Sequence, residues 1–360
     1  MRILHVEGGA NLYGGAQQVL YLLEGLSRRG VGNLLACRPG CELAERAASF
    51  AEVYTLPMGG DLDFAMIRRL RRLIQRTGPD LVHLHSRIGA DVMGGVAARM
   101  AGVPVIHTRR VDNPEPRWLV AAKYRLHDRV IAISEAIGRV LISEGLPADK
   151  LRVVRSAVAA DAYSRPCARR RVLEGLGLPA DALLVGVVAQ LIERKGHRFL
   201  LDALPTLIKS HPKLQLVFFG KGPLAGQLQE RIDAEGLAEH ARLAGFRDDL
   251  TEILPCLDLL VHPATMEGLG VSLLQASAAA VPIVASRAGG IAEAVRDGVN
   301  GLLVPPGDAA ALGSTLSGLL ADIGLRRRLG AAGRALIRDQ FSADSMVDGN
   351  LSVYRELVVL

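Results

Sequence analysis

The chain has 360 residues, 49 % of them apolar and 4 % aromatic, with a formal net charge of +6. That length exceeds the usual reach of one hydrophobic core, so two domains are expected, and the scarcity of aromatics with no recognition motif argues against nucleic acid as a partner. Met1-Arg2-Ile3-Leu4-His5-Val6 turns polar too soon for a secretory signal, and no apolar run approaches the roughly 18 residues of a membrane span, so the chain reads as cytoplasmic, soluble or peripherally bound.

Short β-branched runs near 2–6, 33–36, 80–84, 104–107 and 129–133 alternate with helical stretches near 16–29, 63–77, 88–101 and 134–144. This alternation predicts a parallel sheet covered on both faces. The rhythm lapses over 156–168. It restarts with Leu183 to Val188, a helix near 196–210, Leu214 to Phe219, Leu257 to Val261, a helix from Val271 to Ala280, Pro282 to Ala285 and Leu302 to Val304. From Phe341 to Leu360, apolar residues at 346, 347, 351, 354, 357 and 358 predict an amphipathic helix, expected to pack back on the first half. The economical reading is an α/β protein with two doubly wound, Rossmann-like parallel-sheet domains, 1–160 and 161–340. They face a cleft at the carboxyl ends of their strands.

Charge is unevenly placed: residues 1–160 hold 22 Lys or Arg against 15 Asp or Glu, and residues 161–360 hold 21 against 22. A basic first half suits phosphates, an anionic acceptor or a membrane surface. Phe64, Ile67, Leu70, Leu73 and Ile74 recur at helical spacing, with Arg68, Arg69, Arg71, Arg72 and Arg76 on the remaining sides. Three readings are open for this amphipathic helix: an ordinary solvated surface, attachment to anionic lipid of the inner leaflet, or capture of a phosphorylated glycolipid acceptor. Cys37, Cys41, Cys167 and Cys256 are scattered, without the second pair a metal site needs, and are expected to be reduced.

The stretch from His262 to Gln275 places a carboxylate, Glu267, and two glycines, Gly268 and Gly270, where a buried strand gives way to a helix. A helix start offers unpaired N–H groups and a positive dipole end to an anion. Glu267 itself repels phosphate, so a neutral polyol such as a sugar ring is its natural partner, unless it merely caps the helix.

With these motifs the chain resembles the retaining, nucleotide-sugar-dependent glycosyltransferases of the GT-B fold, specifically family 4. The resemblance covers nearly the whole chain and rests on an ordered set: Gly14-Gly15, Asp80 to Ser86, Val105-Ile106-His107, Lys195-Gly196, Gly220-Lys221-Gly222-Pro223, Gly245-Phe246-Arg247, Glu267-Gly268-Leu269-Gly270, Gly289 to Glu293 and Asn300 to Pro305. It implies a nucleoside-diphosphate sugar as co-substrate, no other cofactor and no metal. Lys195 matches the family's diphosphate-binding lysine, with Arg194 the nearest alternative cation, and Gly14 and Gly15 would bring backbone donors to the same phosphates. Glu267 matches the glutamate that contacts the transferred sugar. His107 matches a strand-end histidine near the sugar's anomeric carbon. Phe246 and Arg247 would lay backbone around the base, and Gln190, Gly220, Leu269, Gly270, Val271 and Gln275 complete the donor set. Arg109 and Arg110, beside His107, would hold an anionic acceptor. His83 and His85 are read as packing residues.

Three positions depart from the family pattern. Gln275 stands where a second glutamate usually grips the ribose, Gln190 where an arginine faces the diphosphate, and Ser156-Ala157-Val158-Ala159 replaces a more typical interdomain sequence. An amide in place of the carboxylate loses the charge-assisted part of a hydrogen bond, on the order of 1 kcal/mol.

The resemblance implies transfer of a hexose or related sugar to a cell-surface glycan or glycolipid precursor such as lipopolysaccharide. The resemblance also implies front-face attack, with the acceptor proton passing to the leaving phosphate, which would account for the lack of an obvious general base. Two rivals remain at this stage. One is a nucleotide-sugar epimerase, marked by isomerisation without an acceptor. The other is a non-catalytic carbohydrate-binding protein, motivated by Gln190 and Gln275.

Overall fold

The computed structural model of the protein describes residues 1–12, 14–86 and 89–358. The chain divides into two compact units, residues 1–157 with 343–360 and residues 158–342, each built on one parallel sheet.

The first unit runs β1 (Arg2–Glu7), α1 (Gly14–Arg28), β2 (Gly32–Cys37), α2 (Glu42–Ala47), β3 (Glu52–Thr55), α3 (Ala65–Thr77), β4 (Leu81–Leu84), α4 (Ala90–Ala101), β5 (Val105–Arg109), α5 (Arg117–Tyr124), β6 (Arg129–Ala132), α6 (Glu135–Ser143) and β7 (Leu151–Val153). Strand order is β3-β2-β1-β4-β5-β6-β7. Ile3, Leu81, Ile106 and Ile131 lie in one cluster with Leu22 and Leu26 of α1. The alternate residues Leu4, Val6, Val82, Leu84 and Val105 cluster instead with Met66, Leu70 and Leu73 of α3 and Met93 and Ala97 of α4. Burial on both faces is why these strands read as continuous apolar runs. The expected helix start at Ile88 lies outside the described residues.

The second unit runs α7 (Arg169–Gly175), β8 (Leu183–Val188), α8 (His197–Ser210), β9 (Leu214–Phe219), α9 (Ala225–Ala234), β10 (Ala241–Gly245), α10 (Leu250–Ile253), β11 (Leu259–His262), α11 (Val271–Ala278), β12 (Ile283–Ser286), α12 (Ile291–Ala294), β13 (Gly301–Val304), α13 (Ala309–Ala321) and α14 (Ile323–Gln340). Its order is β10-β9-β8-β11-β12-β13. Val185, Val187, Leu216, Phe218, Leu259 and Val261 pack with Leu200, Leu204 and Leu207 of α8 and Leu312, Leu316 and Leu319 of α13. Asp308 and Asp322 cap α13 and α14, accepting from Ala311 N and Leu325 N at 2.8 Å.

The last helix, α15 (Ala343–Arg355), belongs to the first unit, where Met346, Val347, Leu351 and Tyr354 join the cluster of Ile3 and Ile106. The expected helix end at Val359-Leu360 lies outside the described residues. Gln18 of α1 holds the point where the chain leaves this unit, its carboxamide accepting from Ala157 N at 2.7 Å and donating to Ala157 O at 2.8 Å.

Two expectations need correction. Cys167 and Cys256, expected to be reduced, are joined as a disulfide between the segment before α7 and the turn before β11, while Cys37 and Cys41 are free and buried. Their 89-residue separation hid a Cα–Cα distance of 5.1 Å that only the folded sheet creates. Phe64, assigned to the apolar face of α3, is instead 67 % exposed, because it precedes the helix; Met66 occupies the buried position.

α15 packs closely on Gly25 of α1: a Cβ there would collide with Val347 Cγ2. Gly25→Leu is expected to destabilise the first unit by about 1–3 kcal/mol through overpacking. Urea unfolding should register the loss, and amide exchange should accelerate along α15 before it does so in the second unit.

Candidate active site

In an open parallel sheet, the crevice forms where successive connections leave in opposite directions, at the carboxyl ends of the strands. In the second unit that point lies between β8 and β11. The loop after β8 carries Gln190, Arg194 and Lys195; the loop after β11 carries Glu267, Leu269 and Gly270. The two are tied by backbone, Thr265 N donating to Arg194 O at 2.9 Å.

Lys195 and Glu267, 72 residues apart, meet here as an ion pair, Nζ to Oε2, with side chains 10 % and 13 % exposed. His262, the last residue of β11, places Nε2 2.8 Å from the same oxygen. An ionised carboxylate only accepts, so that imidazole nitrogen carries the hydrogen. Oε1 accepts from Gly268 N at 3.1 Å. Burial alone would push the Glu267 carboxyl up, but the hydrogen bond from His262 and the attraction of His262 and Lys195 outweigh it and hold it well below the usual range.

Glycines make this cluster possible. The backbone of Gly289-Gly290 runs directly beneath it, with Gly290 N donating to Glu267 O at 2.8 Å. A Cβ on Gly289 would collide with Glu267 O, and one on Gly290 with Gly268 O.

The other expected donor residues share the same sheet edge but do not join the cluster. Gln190 is exposed and Gln275 half-buried on α11, whose first residue is Val271. Gly220 follows β9, and a side chain there would strike Ala189 O. Phe246 follows β10, half exposed, with Lys221 Nζ 5.6 Å from its ring centroid. Arg247 is fastened to Asp249.

In the first unit the corresponding point lies between β1 and β4. Gly14 and Gly15, expected in a loop, form the first turn of α1, a 15-residue helix whose leading N–H groups have no intrahelical partner. Gly8 N donates to Ser86 Oγ at 2.7 Å, and Glu7 Oε1 accepts from Gly9 N at 2.8 Å.

Here the expected roles on β5 are redistributed. His107 does not reach the strand end: it is wholly buried, its ring 5.9 Å from Tyr124 and 5.4 Å from His127, on the face covered by α5. Arg109, expected to hold an acceptor, points to that same side and is 1 % exposed. Its guanidinium is spent on Val111 O at 2.8 Å, Asn113 O at 2.5 Å and Glu115 at 3.1 Å, so it fixes the loop after β5. Arg110, one residue on, turns to the other face, where its Cδ would lie 3.5 Å from a Cβ on Gly15 and its Nη2 lies 3.5 Å from His85 Nδ1. Burial lowers its pKa to about 10, against the pull of Glu7 and Tyr354. Arg110 is therefore, among the described residues, the cation beside Gly15.

Beside it, His5, His83 and His85 form a buried chain. His5 Nδ1 and His85 Nε2 are 3.0 Å apart, while His83 reaches Tyr354 Oη at 2.7 Å and Thr108 Oγ1 at 2.6 Å. The three offer ligand atoms within 4.8 Å of one another. His83 is hydrogen-bonded through both ring nitrogens, His5 Nε2 is buried without a partner, and a guanidinium stands beside the three, so the arrangement reads first as a hydrogen-bonded strut between sheet and α15. Burial drives all of these imidazoles neutral: His5 falls to about 3 and His127 to about 4, and His83, His85 and His107 are held well below 6.5.

Comparison with known proteins fits this geometry. Residues 169–336 match the family model of glycosyl transferases group 1, and residues 13–162 match that of glycosyltransferase family 4. The chain is 31 % identical over 343 residues to a phosphatidyl-myo-inositol mannosyltransferase of Mycobacterium leprae, covering 90 % of this chain and 88 % of the relative. The chain belongs to glycosyltransferase family 4. Its function is glycosyl transfer of that type. The lipopolysaccharide core biosynthesis glycosyltransferase LpsE of Rhizobium meliloti is 33 % identical over 178 residues, 49 % of this chain and 51 % of that one. In structure, the Anabaena protein HepE, solved in complex with UDP, superposes with a TM-score of 0.85 at 22 % identity, covering 99 % of this chain and 100 % of that one, which places the fold as GT-B.

Sequence reasoning missed His262 as a partner of Glu267, although it stands five residues upstream at the end of the strand before it, and did not separate Arg110, which turns toward Gly15, from Arg109, which is buried on the other side.

The buried imidazoles give a signed prediction. Each has a folded pKa below its unfolded value of 6.5, so their contribution to stability is present above pH 6.5 and is lost as pH falls, because the unfolded chain takes up protons the fold refuses. Each titrating ring adds a slope of up to about 1.4 kcal/mol per pH unit. Denaturant midpoints between pH 7 and pH 5 should drop more steeply for the first unit than for the second, and replacing His107 and His127 with Phe and Gln should flatten that drop.

Proposed function

We propose that the chain is a retaining glycosyltransferase that moves a sugar from a nucleoside diphosphate to a cell-surface glycan or glycolipid precursor such as lipopolysaccharide. The observation that carries this is the meeting of Lys195 and Glu267 at the β8/β11 switch point. A cation and oriented amides suit a leaving diphosphate, and a carboxylate beside them suits sugar hydroxyls. That HepE holds UDP favours the same donor class, and the names of the mannosyltransferase and LpsE favour a lipid-linked or envelope glycan acceptor.

In this reading Lys195 and the helix-start amides meet the charge that grows on the leaving phosphate, so no metal is assigned to the step and no cofactor beyond the donor. Glu267 orients the transferred sugar, and the acceptor hydroxyl attacks from the face the phosphate leaves, giving it the proton. Arg110 is the acceptor-side cation. In this reading the fold positions the groups, and the leaving phosphate takes the place of a separate base.

Screening UDP-, GDP- and ADP-sugars by thermal shift and donor hydrolysis should find one that stabilises the protein. With that donor, Lys195→Ala and Glu267→Ala are each expected to lower turnover by at least about tenfold with the fold intact. Unchanged turnover in both would remove the assignment.

The acceptor reading extends to the membrane. Among the described residues no helix is long and apolar enough to cross a bilayer. Arg68, Arg72 and Arg76 of α3 are exposed, and Leu62 and Phe64, just before that helix, are 83 % and 67 % exposed. Arg69 is tied to Asp63. Exposed apolar groups beside cations suit the headgroup zone of an anionic inner leaflet, so the protein works there from the cytoplasmic side. Sedimentation with vesicles containing anionic lipid should weaken when Arg68, Arg72 and Arg76 become Glu. Equal sedimentation rejects the attachment.

A further inference from the structure

The cation and the carboxylate of the proposed donor site are each other's partner. With both side chains nearly dry, Lys195 has Glu267 as its ionic partner, and Glu267 Oε2 holds both Lys195 and His262. A diphosphate arriving at Lys195 must compete with a carboxylate already in contact, and leaves that carboxylate beside an incoming anion. A carboxylate in a poorly hydrated place is costly to leave without a donor. Two groups can replace the lysine. One is internal: His262, 1 % exposed, whose Nε2 already donates to Oε2 at 2.8 Å. The other arrives only with a complete donor, as the hydroxyls of its sugar.

We infer that Glu267 is an internal counterion for Lys195, released by the sugar of the donor and held through the exchange by His262, so that the site prefers a sugar-bearing diphosphate to the bare nucleoside diphosphate. This rests on the donor-site reading above and deepens it. Its consequence is directional. Once the sugar has been transferred, Glu267 loses its hydroxyl partners, recaptures Lys195 and weakens the hold on the product. His262 is then a positioning residue: it touches neither diphosphate nor reacting carbon in this reading, but keeps the carboxylate aimed and compensated while Lys195 is away. The strand-end location makes it rigid, since β11 pairs with β12 up to His262 itself.

Calorimetric titration separates this from a merely structural role. The probes are UDP, GDP and ADP, each alone and as its glucose conjugate, titrated into the full chain and its variants. For the base that binds the wild type, Glu267→Gln should bind the bare diphosphate about tenfold tighter, because Lys195 is no longer neutralised, while gaining nothing for the glucose conjugate. His262→Leu should weaken the bare diphosphate several-fold, since Glu267 then keeps Lys195. The Glu267→Gln/His262→Leu double variant should return to the level of Glu267→Gln alone, a non-additivity that unfolding of the site does not produce. His262→Asn, which retains a donor, should lie between wild type and His262→Leu. A bare diphosphate bound no tighter by Glu267→Gln overturns the inference, as does a gain that survives in Glu267→Gln/Lys195→Ala, which would mean simple repulsion from the carboxylate. Failure of all three bases to bind the wild type overturns the donor site itself.

Discussion

Two opposite charges in one nearly water-free corner, Lys195 and Glu267, are what the second unit is arranged around. Neither is stable there alone, because a buried ion without a partner costs several kcal/mol, on the order of 3–5 by mutational measure. The loops that bring them together come from adjacent strands, β8 and β11, and the glycine backbone beneath them leaves no room for a side chain. The sheet sets the distance, the glycines admit the approach, and His262 and Gly268 N saturate the carboxylate. Chemistry suited to a charged, sugar-bearing ligand follows from that arrangement.

The first unit solves a different problem with a different polar interior. It buries histidines rather than an exchangeable ion pair, and burial keeps them neutral so that they work as hydrogen-bonding struts. The chain from His5 through His85, with His83 bridging Tyr354 and Thr108, links β1, β4 and β5 to the helix that closes the unit. On the opposite face Arg109, Glu115, Lys123 and Asp91 neutralise one another, Lys123 Nζ lying 2.6 Å from Glu115 and 3.3 Å from Asp91. Arg110, the next residue along the strand direction, faces Gly15 on the other side.

Which elements were legible follows from burial. Strands inside the sheets, such as β1, β8 and β9, have two covered faces and therefore announce themselves as apolar runs. The strands that escaped, β3, β7 and β10, lie at sheet edges, where partial exposure dilutes the pattern. Short polar-rich helices such as α2 and α9 escaped likewise. In the site, motif order singled out Lys195 and Glu267, whose contact the fold then makes, whereas Arg109 and Arg110 were read together and lie on different faces. Strand alternation sends residues 107 and 109 to one face and residue 110 to the other, but only the neighbours reveal which face looks toward α1.

The sequence alone therefore determined the class of architecture, since hydrophobic periodicity reports how each segment is buried, and it determined the family, since an ordered set of glycines, a lysine and a glutamate survives without coordinates. What only the tertiary structure decided were contacts between residues far apart in the chain. These are Lys195 against Glu267, Cys167 against Cys256, Gly25 under α15, and Arg110 rather than Arg109 beside Gly15. Each depends on which strand lies beside which and which face a side chain takes, and a linear pattern holds neither.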